Sequence, residues 1–113
     1  MQKLIVKRPW GQFEQFTQNE KTTVKVISIN KDSSLSLQYH NHRTEFWHIL
    51  SGIPFVTIGK KHIEAKPGDE FVIEKETLHQ IEAKDSAVRF LEIAYGDFDE
   101  DDIVRVKDKY GRV

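Results

Sequence analysis

Alternation of apolar and polar side chains with a period of two constrains this chain more than any other feature of its sequence. Residues 22–29 show it most clearly: on an extended strand, Val24 and Val26 fall on one face and Lys25 and Ile27 on the other. Similar short runs, separated by turns that contain glycine or proline, continue to residue 95. We therefore predict strands at residues 22–29, 34–40, 45–50, 55–58, 62–65, 70–73, 79–82 and 88–95.

Many short strands at regular spacing are typical of a sandwich, a jelly roll or a barrel. The 113 residues are enough for one domain with its own core, so we expect a single all-β domain over residues 1–113. The one exception is near the end of the chain, where Asp99 or Asp101 could cap a short helix that runs through Val106.

Charge and cysteine content exclude several classes of function. The net charge is -1, with 17 basic and 18 acidic residues, which gives no field for nucleic acid or for a membrane surface. The absence of cysteine excludes disulfides and thiolate metal sites. We see no apolar run long enough for a signal peptide or a bilayer span, so we expect a cytoplasmic protein. We interpret the acidic residues 97–102 as a solvated loop.

A stripe of polar residues carries the clearest chemical signal. If the strand over residues 34–40 continues, Gln38, His40 and His42 share one face and lie about 6.6 Å apart along it. Polar groups that face inward are costly unless something satisfies them, and a metal ion would do so. Glu45 could add a carboxylate, and a distant strand after residue 68 could add a fourth ligand.

The remaining histidines and the tryptophans have simpler interpretations. We expect His48 and His62 to be surface or hydrogen-bonded residues. Trp10 and Trp47 are expected in the core, and the alternative is that they wall a sugar pocket by stacking.

The segment around Glu45 resembles the first cupin motif. The spacing from Glu45 to Gly52 matches the closing half of that motif, and counting back places its first two ligand positions on Gln38 and His40. An alternative register on His40 and His42 leaves too few residues before Glu45.

The second cupin motif is recognisable but altered. The spacing from Gly68 places His79 where that motif has its histidine. Glu74 and Glu76 replace the proline and glycine of the motif, and Ala83 replaces its asparagine, so we expect a turn of different shape there.

A narrower resemblance runs nearly end to end, over residues 8–11, 35–38, 40–47, 51–52, 101–105 and 108–112. The chain is similar to the type II mannose-6-phosphate isomerase domain, which in bifunctional relatives follows a mannose-1-phosphate guanylyltransferase domain. The resemblance implies a cupin jelly-roll barrel with short N- and C-terminal extensions. It also implies one divalent ion on Gln38, His40, Glu45 and His79, with zinc expected first and manganese, iron, cobalt or nickel as alternatives.

The same resemblance implies that the chain interconverts mannose 6-phosphate and fructose 6-phosphate. Such an isomerase needs a proton-transfer group, for which Glu92 is the first candidate and His42 the second. It also needs basic groups for the phosphate, and we take Arg43 as the first choice, followed by Arg8 and Arg105.

Two other functions remain open. One is a non-catalytic module that binds a sugar or sugar phosphate, and the other is a metal-dependent oxygenase. A glutamine in the first ligand position favours Lewis-acid over redox chemistry. We further expect a homodimer, because Leu35, Leu37 and Tyr39 would face away from the cavity and need cover.

Overall fold

The computed structural model describes residues 3–113 and builds them from twelve β-strands. Within this range there is no helix, and accordingly no helix that could cross a membrane. The strands are β1 (Leu4–Arg8), β2 (Gly11–Gln15), β3 (Thr22–Ile29), β4 (Ser33–Ser34), β5 (Leu37–Tyr39), β6 (Glu45–Ser51), β7 (Phe55–Ile58), β8 (Lys61–Glu64), β9 (Glu70–Ile73), β10 (His79–Ala83), β11 (Val88–Tyr95) and β12 (Val104–Lys107).

Two antiparallel sheets face each other across the core, which is the arrangement expected of a cupin jelly roll. One sheet has the strand order β3-β11-β6-β9. The other has the order β12-β5-β10-β7-β8, with β4 also paired to β10. The first two strands form a separate hairpin, β1-β2. The all-β prediction is therefore confirmed.

The alternation pattern located most strands well. Four of the predicted strands have the same bounds as β3, β7, β9 and β11. The predicted strand at residues 34–40 is divided into β4 and β5, which both pair with β10. The hairpin β1-β2 was not predicted.

The predicted C-terminal helix was wrong. Asp99 does accept a hydrogen bond from the backbone N–H of Asp101, at 2.9 Å, but this closes a local turn and no helix follows. The chain instead enters β12, which pairs with β5. The alternation of Val104 and Val106 with basic residues was the signal for this strand.

The core lies between the two sheets and includes Trp47. Its side chain is fully buried and packs on Phe90, with ring centroids 5.1 Å apart. Trp10 is 73% exposed at the tip of the hairpin, so the expectation that it is a core residue was wrong. Leu35 does not face outward as expected, because it packs against the core, and Leu37 and Tyr39 are half-buried.

Backbone conformation explains two positions of the cupin motifs. Gly52 has a φ of +84°, and a Cβ there would collide with the carbonyl oxygen of Ala87, so only glycine fits. Glu76 has a φ of +64°, the left-handed conformation that the motif's glycine would supply. The turn at Glu76 therefore adopts a left-handed conformation without glycine.

Candidate metal centre

Strand pairing brings four of the predicted ligand residues together at one end of the barrel. Gln38 on β5 is paired directly with His79 on β10, so their side chains share the inner face. Glu45 opens β6 on the facing sheet, and His40 follows β5 by one residue. We call Gln38, His40, Glu45 and His79 the inner cluster.

Both histidines of the inner cluster have their tautomer fixed by a backbone carbonyl. Nδ1 of His40 donates to the Asp102 carbonyl at 2.6 Å, and Nδ1 of His79 donates to the Thr77 carbonyl at 2.8 Å. Burial lowers the pKa of His79, so its ring is neutral at pH 7. Each ring therefore turns an Nε2 lone pair toward Glu45, as metal-binding imidazoles do.

The carboxylate of Glu45 faces the Nε2 atoms of both histidines. Its Oε2 lies 3.5 Å from Nε2 of His40, and its Oε1 lies 3.8 Å from Nε2 of His79. All three residues are buried. Within the described part of the chain, Glu45 Oε1 and His79 Nε2 have no hydrogen-bond partner.

Such a set of acceptors fits a divalent ion. One potential ligand atom from each of His40, Glu45 and His79 lies within 4.8 Å of the others. Imidazole and carboxylate donors suit zinc, manganese, iron, cobalt and nickel. Unpartnered acceptors facing each other in a buried site are costly, and a cation would remove that cost.

Gln38 takes part in the inner cluster through the end of its amide. Its Nε2 lies 3.4 Å from Nε2 of His40, while its oxygen accepts a hydrogen bond from Ser36. Presenting the oxygen to an ion requires rotation of the amide group, which exchanges the two atoms.

Arg43 is buried against the inner cluster. Its Nε donates to Oε2 of Glu45 at 2.9 Å, and its Nη2 lies 3.3 Å from Nε2 of His40. Its Nη1 donates to the Asp99 carbonyl at 3.2 Å, and its guanidinium lies over the ring of Phe98. Each of the three guanidinium nitrogens is thus engaged within the protein.

Glu92 points into the barrel from β11, as expected. It is buried beside Trp47 and is paired in register with Lys25 on β3. Burial, together with the negative charge of Glu45, raises the pKa of Glu92 to about 7. Arg43 and Lys25 oppose this shift. A carboxyl group with such a pKa can hold or release a proton near neutral pH.

Residues 98–102 close the mouth of the barrel, and we call them the capping segment. The carboxylate of Asp102 accepts hydrogen bonds from the backbone N–H groups of Asn41 and His42, at 2.9 and 3.0 Å. These bonds outweigh burial and lower the pKa of Asp102. Glu100 pairs with Lys25 at 2.8 Å. The solvated-loop interpretation was therefore wrong for Asp102, because its carboxylate accepts two backbone hydrogen bonds. No sequence pattern distinguishes Asp102 from the other acidic residues of this run.

The other candidate residues are placed differently. His42 is exposed, so the expectation that it shares a face with the inner cluster was wrong: the chain bends after β5 and the alternation stops. Arg8 is exposed on the hairpin, where it lies over Phe13 and bonds to the backbone. Arg105 lies opposite Gln38 on β12, and its Nε is buried without a partner within residues 3–113.

Comparison with known proteins identifies relatives over nearly the whole chain. Residues 1–108 match the family model described as mannose-6-phosphate isomerase C-terminal. Mannose-1-phosphate guanylyltransferase 2 of Escherichia coli O157:H7 is 36% identical over 105 residues, which are 91% of this chain and 22% of that protein. The xanthan biosynthesis protein XanB of Xanthomonas campestris is 33% identical over 95% of this chain and 23% of its own length. The chain thus spans less than a quarter of these relatives.

A solved structure supports the fold. A cupin protein from Bacteroides fragilis superposes with a TM-score of 0.61 and 29% identity, covering 69% of this chain and 70% of that one. Two-sheet topology and structural similarity therefore agree on the cupin fold.

Proposed function

The chain belongs to the mannose-6-phosphate isomerase C-terminal family and has a cupin fold, and from this premise we propose that it is a metal-dependent isomerase of mannose 6-phosphate and fructose 6-phosphate. One observation carries the proposal. The buried inner cluster of nitrogen and oxygen acceptors lies on the same inner surface as Glu92, a carboxyl group whose pKa is about 7. An aldose–ketose isomerase needs a Lewis acid and a proton carrier in one site.

The residues divide the chemistry between them. His40, Glu45 and His79 would hold the ion, with Gln38 as a fourth ligand. A bound divalent ion supplies polarisation of the sugar carbonyl and stabilises the negative charge that develops on its oxygen. Glu92 would take the proton from one carbon of the substrate and return it to the neighbouring carbon.

The phosphate requires a cationic group near the mouth of the barrel. Arg105 is well suited, because its guanidinium shares the inner face with Gln38 and has a free buried donor. Arg43 lies at the mouth beside the capping segment but is engaged with Glu45. Arg8 is not brought to the inner cluster, and His42 is exposed, so neither has a role in our proposal.

Metal analysis combined with a coupled assay tests the function. Purified protein is freed of metal, reloaded separately with zinc, manganese, cobalt, nickel and iron, and supplied with each sugar phosphate. We expect turnover only in a metal-loaded form, and loss of turnover in Glu92→Gln with metal content unchanged. Arg89→Met, an exposed change on the same strand, serves as the control.

The other functions give distinct results in this assay. A metal-loaded protein that binds sugar phosphate without turnover would favour the non-catalytic module. Oxygen uptake by an iron-loaded form would favour the oxygenase.

We also propose that the protein forms a homodimer through its N-terminal hairpin. Within the described residues, strands β1 and β2 pair with each other and with no other strand, and a two-stranded sheet needs packing against something else. Several large apolar side chains remain exposed on this hairpin and on β3. A second copy of the chain would cover them. Light scattering at micromolar concentration should then give twice the monomer mass for the wild type. Trp10→Ser should lower the measured mass toward that of the monomer. The exposed residues are Leu4, Ile5, Trp10, Phe13, Val24 and Val26.

A further inference from the structure

The inner cluster contains more hydrogen-bond acceptors than donors. Because His40 and His79 each donate Nδ1–H to a backbone carbonyl, both Nε2 atoms are acceptors. The carboxylate of Glu45 adds two acceptor oxygens between them. A buried group of this kind requires a positively charged neighbour.

Arg43 is that neighbour. Its guanidinium is buried and donates to Oε2 of Glu45 at 2.9 Å, with Nη2 at 3.3 Å from Nε2 of His40. An imidazole nitrogen has a single lone pair in the plane of its ring. The lone pair of His40 therefore cannot serve Arg43 and a metal ion at the same time. A divalent ion at this place would also repel the guanidinium.

We propose that Arg43 and the divalent ion are alternative occupants of the inner cluster. This inference rests on the metal site of the proposed function and adds a competitor to it. In the metal-free protein, Arg43 neutralises Glu45 and occupies Oε2 of Glu45 and Nε2 of His40, while Oε1 of Glu45 and Nε2 of His79 have no partner within the described residues. Metal binding displaces the guanidinium from Nε2 of His40, so Arg43 weakens the apparent metal affinity.

The contacts of Arg43 also define where the displaced side chain goes. Its Nη1 donates to the Asp99 carbonyl, and its guanidinium lies 4.5 Å from the centre of the Phe98 ring. Both partners belong to the capping segment. A guanidinium that leaves the inner cluster stays at the mouth of the barrel, where its released donors can bind an anionic group of the substrate. Metal loading thus prepares the anion site.

Metal affinity measured directly tests the competition. Zinc is titrated calorimetrically into metal-free wild type, Arg43→Met and Arg89→Met, the last as a matched exposed control. Because the variant lacks the competitor, we expect Arg43→Met to bind zinc about tenfold more tightly, the equivalent of about 1.4 kcal/mol. Arg89→Met should match wild type. Equal or weaker binding by Arg43→Met would overturn the proposal, since it would mean that Arg43 supports the metal-bound form.

A second measurement on the wild type does not depend on the folding of a variant. The Nε–H proton of Arg43 is followed by nitrogen-15 NMR, with Arg43→Lys to identify its signal. We expect a hydrogen-bonded signal in the metal-free protein that moves or exchanges rapidly after one equivalent of zinc. An unmoved signal with zinc bound would refute this inference and leave the proposed function standing. Absence of zinc binding in wild type and Arg43→Met would refute both.

Discussion

Histidine and glutamate form two clusters on opposite sides of strand β6, and the two clusters have opposite properties. On the outer face, Nδ1 of His48 donates to Glu70 at 2.6 Å, and Nζ of Lys3 lies 2.7 Å from the same carboxylate. We call Lys3, His48 and Glu70 the outer cluster. On the inner side, Glu45 faces His79, which comes from β10 of the opposite sheet, and its Oε1 lies 3.8 Å from Nε2 of His79.

The difference lies in where each imidazole places its proton. His48 directs an N–H at its carboxylate, whereas His79 uses its N–H on the Thr77 carbonyl. The outer cluster is thus complete in itself, and the inner one is complete only with a cation. The orientation of an imidazole, more than its presence beside a carboxylate, distinguishes a metal-binding site from an ion pair.

The largest expected effect is a difference in isomerase activity between variants of the inner cluster and variants of the outer cluster. We expect His40→Ala to lower isomerase turnover by about 100-fold or more, because loss of a ligand costs at least as much as loss of a ligand's hydrogen-bond partner. His48→Ala should stay within about twofold of wild type. The coupled assay measures both, and equal losses in the two variants would contradict the distinction.

Thermal unfolding should show the same contrast through metal binding. At a zinc concentration about 1,000 times the dissociation constant, binding adds about 4 kcal/mol and raises the midpoint by about 15 °C. Glu45→Gln should reduce this rise to a few degrees, because the anionic ligand is gone. Glu70→Gln should leave it unchanged. Calorimetry with and without chelator measures the rise, and a full rise in Glu45→Gln would exclude this carboxylate as a ligand.

The pH dependence of metal-free stability should differ in sign between the faces. The pKa of Glu92 is about 7 in the folded protein, so the folded state binds its proton more tightly than the unfolded state, where the pKa is about 4.5. Its contribution to stability is full below pH 4.5 and falls by about 3 kcal/mol as pH rises past 7.

Urea unfolding at several pH values in chelator measures this loss. Glu92→Gln should remove it, because a neutral amide does not titrate. A wild-type profile with the same slope as that of Glu92→Gln would show that Glu92 titrates at its ordinary pKa.

The smallest effect concerns Glu70. Burial raises its pKa, but hydrogen bonds from Lys3 and His48 outweigh this and hold it below the ordinary value. Its contribution is therefore present above pH 4.5 and is lost as pH falls through its lowered pKa. Glu70→Gln should cost at most about 1 kcal/mol at pH 7 and nothing in strong acid, because the pair is partly exposed. Urea midpoints at the two pH values check this.

Strand alternation predicted the barrel because burial on one face imposes a period of two. It succeeded for β11, where Val88, Phe90 and Glu92 all face inward. It failed at the C-terminus, where Asp99 forms the hydrogen bond of a helix cap but closes only a turn. One side-chain hydrogen bond does not determine whether a helix or a strand follows, because here pairing of β12 with the distant strand β5 determines it.

The inner cluster was predictable from motif spacing, but its neighbours were not. Alternation placed His42 inside because it assumes an extended chain, and the bend held by Asp102 ends that assumption. Phe98 and the Asp99 carbonyl reach Arg43 from more than fifty residues away, and backbone carbonyls carry no sequence signal. Spacing therefore predicts which residues come together in the inner cluster, but not which contacts surround them.

The bond between His40 and the Asp102 carbonyl also has a consequence for the order of events on the ribosome. Asp102 follows His40 by 62 residues, which is about 3 to 12 seconds of synthesis. During that interval the Asp102 carbonyl is not yet available to His40. The arrangement of the inner cluster is therefore complete only after residues 98–102 have been synthesised and have folded against it.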